Sequence, residues 1–141
     1  ESLKAKVLIL GSSAERPIAD VVINIMKSKP VDLVGRTTLG ELAAVIDNLD
    51  ILITNDGGPL HMAVARGKKT VSFFGPVNPK VYGPYPVNER KHIVLNKGLE
   101  CSPCYSEFRL SGCSNNRECL KSISVDEAMS AVSELLRPPS F

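Results

Sequence analysis

The stretch Asn55-Asp56-Gly57-Gly58-Pro59-Leu60-His61-Met62-Ala63 holds the most chemistry in the fewest residues. It leaves an apolar run, turns on two glycines and enters a helical pattern. Glycines let backbone N–H groups come close to a ligand. Pro59 suits the first turn of a helix, where the leading N–H groups have no partner within the helix. The helix dipole places roughly half a positive charge there. A turn of this kind is a cradle for an anion, and for a diphosphate above all. His61 falls in the first helical turn, from which its imidazole can donate to phosphate or to a leaving oxygen. Asp56 suits a sugar hydroxyl or the cap of the helix, not a phosphate. A plainer account also fits these residues: a strand-to-helix turn with Asp56 as cap, glycines for tightness and His61 on the surface.

The four cysteines are the second group of interest. Cys101, Cys104, Cys113 and Cys119 are spaced C-x2-C-x8-C-x5-C. The first pair has a metal-ligand spacing, and the second is looser. Three states stay open: a structural zinc clip, reduced thiols, or disulfides, which a cytosolic enzyme does not usually keep. Each would tie an irregular loop, about residues 98–122, to the last helix. No His, Asp or Glu is spaced to activate a cysteine as a nucleophile.

Elements of two kinds must position these residues. Val7–Gly11, Val31–Gly35, Asp50–Thr54, Thr70–Gly75 and His92–Leu95 are short apolar, β-branched runs and read as buried strands. Helical patterns alternate with them. Ile18–Lys27 sets Val21, Val22, Ile25 and Met26 on one face. Thr38 and Glu41 form a capping box before the stripe Leu42, Val45, Ile46 and Leu49. A helix from Pro59 to Arg66 ends at Gly67, a cap glycine. Ser124 and Glu127 open a last helix, about 124–137, with Met129, Val132, Leu135 and Leu136 in its stripe. Strand–helix alternation predicts an α/β fold, a Rossmann-like doubly wound parallel sheet, in a single domain over residues 1–141. Ligands bind such sheets beyond the carboxyl ends of the strands. The loops Gly11–Pro17, Gly35–Thr38, Asn55–His61 and Gly75–Pro86 all fall at those ends.

Composition removes other classes. Net charge is +2 with scattered basic residues, which excludes a nucleic-acid footprint, and 5% aromatic content argues against a base-stacking platform. No apolar run approaches the ~20 residues of a membrane span. The chain opens without an initiator Met or a signal-peptide pattern, pointing to a segment of a longer polypeptide in the cytoplasm.

The segment from Asp56 to Ala63 resembles the Asp-Ser/Thr-Gly-x-x-His-x-Ala signature of glycosyltransferase family 9, the ADP-heptose:lipopolysaccharide heptosyltransferases. Val31–Leu42 resembles the family's neighbouring block. Phe74-Gly75-Pro76-Val77-Asn78-Pro79 with Tyr82-Gly83-Pro84 resembles its Gly-Pro-Thr-x-Pro block, and the cysteine loop resembles one in many members. Two positions depart: Gly57 stands where Ser or Thr is usual, and Val77 where Thr is common. The resemblance implies the C-terminal, nucleotide-sugar-binding half of a two-domain glycosyltransferase-B fold. It implies an inverting transfer of heptose from ADP-heptose to lipopolysaccharide core, with no metal needed for catalysis. The catalytic base would be an Asp of the protein's own N-terminal domain, outside this chain, so the fragment alone would be inactive. Peripheral contact with the inner membrane face would follow from a glycolipid acceptor. His61 would act at the departing diphosphate, with Asp56, Gly57, Gly58, Glu15 and Thr37 around the donor. The plainer roles are a solvated turn for Glu15, helix capping beside Thr37 at Thr38, a structural role for His92, and core packing for Phe74. Tyr82 and Tyr85 are candidates for the pocket wall. Two other functions compete: a sugar-nucleotide epimerase-like enzyme, and a stand-alone nucleotide- or metal-binding module.

Overall fold

The computed structural model describes residues 3–106, 109–110 and 112–137. The chain divides into two compact units, Glu1–Leu42 and Ala43–Phe141.

In the first unit, β1 (Leu8–Ile9) leads through a 3-10 turn (Ser13–Glu15) into α1 (Arg16–Ile25) and then β2 (Val31–Asp32). β1 and β2 pair in parallel, Leu8 against Val31 and Ile9 against Asp32. Bonds from Leu33 N–H to Ile9 O, 3.0 Å, and from Gly35 N–H to Gly11 O, 2.8 Å, carry the pairing past the strands. Pro17 stands in the first turn of α1, where its missing N–H costs nothing. Ala19 is the buried residue of α1, whereas the expected core stripe of Val21, Val22 and Ile25 is exposed. The reason is geometric. The residues that face a two-stranded sheet take up one narrow side of a helix, and here that side is centred on Ala19.

Next come α2 (Leu39–Asp47), β3 (Ile51–Asn55), α3 (Gly58–Ala65), β4 (Lys69–Phe74), α4 (Pro79–Tyr82) and β5 (His92–Asn96). A short antiparallel pair, β6 (Tyr105–Ser106) and β7 (Arg109–Leu110), precedes α5 (Glu118–Lys121) and α6 (Val125–Leu136). The predicted capping boxes form: Thr38 N–H bonds Glu41 Oε2 at 2.8 Å, and Ser124 N–H bonds Glu127 Oε2 at 2.7 Å.

The second unit is built on a parallel sheet in the order β3-β4-β5. Ile51 pairs with Lys69, and Thr70 with His92. The five strands are those the apolar runs predict, and all pair in parallel, as an α/β class requires. Hydrogen bonding divides them between two sheets, β1-β2 and β3-β4-β5. Val71, Ala131, Val132 and Leu135 form the buried cluster where α6 meets the sheet, with Ile51, Ile93, Leu95 and Leu136 packed around it. Ala131 is small enough to escape the stripe read from the sequence, and Met129 of that stripe is exposed. The alternate β4 residues Thr70, Ser72 and Phe74 are buried as well, and α3, packed on β3 and β4, buries Leu60 and Ala63. Fully burying a side chain of Leu or Phe size stabilises the fold by roughly 1.5–3 kcal/mol.

Candidate functional site

The carboxyl ends of β3 and β4 lie side by side, with Asn55 opposite Phe73. Asp56 N–H continues the pairing to Phe73 O at 3.3 Å. The chain then turns into α3, with Gly57 as the N-cap and Pro59 in the first turn. The cap is therefore not Asp56, and no side chain caps this helix. The β3 pairing holds Asp56 back along the strand direction, so Gly57 is the residue that makes the turn. Gly57 is extended, at φ 160° and ψ −177°, a conformation open to any residue. A methyl group on Gly57 would meet only Pro59 Cδ, at 3.9 Å, and one on Gly58 would meet nothing within 4 Å. The two glycines are thus not required by the turn, and what they leave is open space over their backbone. Among the described residues neither N–H is taken by a hydrogen bond.

α3 fixes His61 by burying Leu60 and Ala63, which leaves the imidazole exposed. Its far end closes as expected. Gly67, at φ +68°, supports bonds from its own N–H to Val64 O and from Lys68 N–H to Ala63 O, each 2.9 Å. Asp56 is half-buried, and burial pushes its carboxyl above the ordinary range against the opposing pull of His61. Asp56, Gly57, Gly58 and His61 therefore share one turn at the carboxyl edge of the second sheet.

Glu15 and Thr37 belong to the first unit, on the loops after β1 and β2. Those loops are held together: Gly35, at φ +69°, lies so near Ser13 that a methyl on it would stand 3.0 Å from Ser13 Cα. Glu15 is turned back on its own loop. Its Oε2 accepts from Ser12 N–H at 2.7 Å and from the Ser12 hydroxyl at 2.8 Å, and both bonds hold its carboxyl below the usual range. This matches the plainer role of a turn residue. Thr37 is half-buried. Sequence reasoning missed the Arg16 clamp between these segments. Arg16 donates to Asp32 Oδ2 at 2.9 Å, to Asp32 Oδ1 at 2.8 Å and to Val34 O at 2.8 Å. The guanidinium lowers the Asp32 carboxyl to about 2. An Asp inside the apolar run Val31–Val34 was the available signal.

The loop after β4 is braced by the cysteine region. Cys104 N–H and Tyr105 N–H both donate to Pro76 O at 3.0 Å, and the Ser102 hydroxyl donates to Gly75 O. Tyr82 meets Tyr105 edge to face, with ring centroids 5.9 Å apart, while Tyr85 is exposed and Phe74 is buried in the core. Gly83 follows α4, and a methyl on it would stand 2.2 Å from Pro79 O. His92 is buried and its Nδ1 lies 3.0 Å from the Thr70 hydroxyl, a structural pairing.

Among the described residues no disulfide joins the four cysteines. Cys119 is buried, and burial raises its thiol, with further upward pushes from Cys113, Cys101 and Cys104. Arg117 N–H donates to Cys113 Sγ at 3.1 Å, and Asn115 Nδ2 lies 3.7 Å from Cys101 Sγ. Among the described residues no three His, Cys, Asp or Glu side chains stand where they could hold a metal ion, so the zinc clip gains no support. The region's hydrogen bonds to Gly75 and Pro76 run through backbone and hydroxyl groups.

Comparison with known proteins bears on the family and the fold. The sequence profile of "Glycosyltransferase family 9 (heptosyltransferase)" matches residues 4–114. Lipooligosaccharide heptosyltransferase 2 of Campylobacter jejuni subsp. jejuni serotype O:6 is 28% identical over 138 residues, covering 94% of this chain and 42% of that protein. The crystal structure of a family 9 glycosyl transferase from Veillonella parvula DSM 2008 superposes with a TM-score of 0.75 at 30% identity, over 96% of this chain and 37% of that one. The E. coli ADP-heptose lps heptosyltransferase II shares the fold, with a TM-score of 0.73 at 20% identity, over 93% of this chain and 36% of that one. The chain thus spans less than half the length of each of these proteins.

Proposed function

The chain belongs to glycosyltransferase family 9, and from that premise we propose that it carries the donor-binding site of an inverting heptosyltransferase of lipopolysaccharide core synthesis. The diphosphate of the nucleotide sugar lies over the turn from Asp56 to His61. The single observation behind this reading is the free amino end of α3 at the carboxyl edge of a parallel sheet, with two unblocked glycine N–H groups and an exposed imidazole. Asp56, drawn back from the helix end, bonds a sugar hydroxyl.

In the reaction an acceptor hydroxyl oxygen attacks the anomeric carbon as its bond to the diphosphate oxygen breaks, with inversion. The acceptor proton passes to a carboxylate outside this chain, and the nucleoside diphosphate leaves. Negative charge grows on the departing oxygen. Donors already fixed around it stabilise that charge without reorganising. Gly57 N–H, Gly58 N–H and His61 are those donors here. The donor is ADP-heptose, in keeping with the name of the E. coli protein, and the acceptor is a glycolipid. Such an enzyme works at the inner membrane face as a peripheral protein. Among the described residues no helix is long and apolar enough to cross a membrane.

Calorimetric titration with ADP, UDP and GDP tests the reading. ADP is expected to bind and UDP and GDP to bind more weakly. Failure of all three to bind removes the donor site from this chain.

A further inference from the structure

Two clamps hold the backbone just past β4. One is the segment from Cys101 to Tyr105. Its Ser102 hydroxyl donates to Gly75 O, and its Cys104 and Tyr105 N–H groups both donate to Pro76 O at 3.0 Å. The other clamp is α5, which sets Leu120 and the Cys119 thiol against Gly75. A turn over residues 113–117 leads directly into α5.

Sulfur joins the first clamp to that turn. Cys101 Sγ accepts from Asn115 Nδ2 at 3.7 Å, and Cys113 Sγ accepts from Arg117 N–H at 3.1 Å. Cys101 and Cys113 thus rest on the same turn, and both are exposed. Sulfur is a weak acceptor, so the Asn115 contact ties the clamps only loosely. The other two thiols are placed differently. Cys119 is buried, which shields it from a bulky reagent and keeps its thiol protonated, the unreactive form. Cys104 is half-buried, on a backbone pinned to Pro76.

The geometry points to a redox latch: under oxidising conditions Cys101 and Cys113 join in a disulfide that locks the two clamps together over Gly75 and Pro76. The oxidant is a small disulfide such as oxidised glutathione. One cysteine thiolate attacks a sulfur of that disulfide, releases one small thiol and is left in a mixed disulfide. The second cysteine thiolate then attacks the protein sulfur and releases the other small thiol. The two protein thiols lose two protons and two electrons, and the oxidant becomes two thiols. Exposed bridges are the labile ones, so reducing conditions open the latch again. Bridges of this transient kind are the ones a reducing compartment tolerates. The loop after β4 is thereby held tightly or loosely according to redox state. The donor-site reading plays no part in this inference.

Peptide mapping of the full-length protein tests it. Trypsin places Cys101 and Cys104 on peptide 98–109, Cys113 on 110–117 and Cys119 on 118–121. After treatment with oxidised glutathione, alkylation and digestion, mass spectrometry is expected to find 98–109 linked to 110–117. Dithiothreitol should remove the link, and Cys101→Ser and Cys113→Ser should each prevent it. A link that survives in Cys101→Ser assigns the bridge to Cys104 and overturns the proposal. So do a bridge inside 98–109, a bridge to 118–121, no bridge at all, or a bound metal ion that blocks oxidation. Hydrogen exchange reads the latch itself. The Cys104 and Tyr105 amides are expected to exchange roughly 10-fold more slowly in the oxidised protein than in the reduced one. Equal exchange in the two forms would mean that the bridge does not tighten the clamps, and the proposal is wrong.

Discussion

Two residues of the turn after β3 carry separable roles. His61 is held by its buried neighbours Leu60 and Ala63 but is itself exposed, so its removal costs the fold little. In the full-length enzyme His61→Ala is expected to cut turnover by on the order of 100-fold, with a smaller loss of ADP affinity, because the donor matters most once charge has moved to the diphosphate. Steady-state kinetics beside calorimetry separates the two, and unchanged turnover rejects the role. Gly57 differs from the residue usual in the family, and the structure says the difference is not forced. With an extended backbone and only Pro59 Cδ within 4 Å of an added methyl, Gly57→Ser should leave Tm within about 1 °C and tighten ADP binding by supplying a hydroxyl donor. A clear loss of stability would show that the turn needs its glycine after all.

Among the elements, the cysteine region matters for what it holds in place. It grips Gly75 and Pro76 through Ser102, Cys104 and Tyr105, while α5 presses Leu120 and the Cys119 thiol against the backbone of Gly75. A methyl at Gly75 would stand 2.7 Å from Leu120 Cγ and 3.1 Å from Cys119 Sγ. Gly75→Ala should therefore push α5 away and destabilise the protein by about 1–3 kcal/mol, the usual cost of overpacking. Denaturant titration checks this, and an unchanged midpoint would mean that α5 does not bear on β4. No sequence pattern showed this pressure, since Gly75 and Leu120 are 45 positions apart.

For the molecule as a whole, pH reports the charged groups together. Burial, reinforced by the charge of Lys91, lowers the affinity of His92 for a proton in the folded state. The unfolded chain then binds more protons there, so stability should fall as pH drops below the ordinary histidine value near 6.5 and level off below the depressed folded one. Asp32, held at about 2 by Arg16, and Glu127, held at about 2 by Lys97 and the Ser124 cap, act at lower pH. Their contribution is present above the ordinary carboxylate range and is lost as pH falls from about 4 toward 2. Asp56 works against them, because its raised carboxyl is relieved by protonation. Thermal melts between pH 7 and 2 should show two declining steps. His92→Gln should remove the upper step alone, and an upper step that survives in that variant assigns it elsewhere.

The α/β class, the five strands and the capping boxes at Thr38 and Ser124 were legible in the sequence because each rests on neighbours in the chain. Periodicity, a cap three residues from its partner and a glycine after a helix are local signals. So was the turn from Asp56 to His61, whose glycines, proline and histidine lie within six consecutive positions. The rest depended on distant groups. Tertiary packing made Gly57 and not Asp56 the cap, locked Arg16 to Asp32 and exposed the stripe of α1. A side chain's partner is set by what the folded chain brings within a few ångströms of it, and spacing along the sequence does not encode that distance.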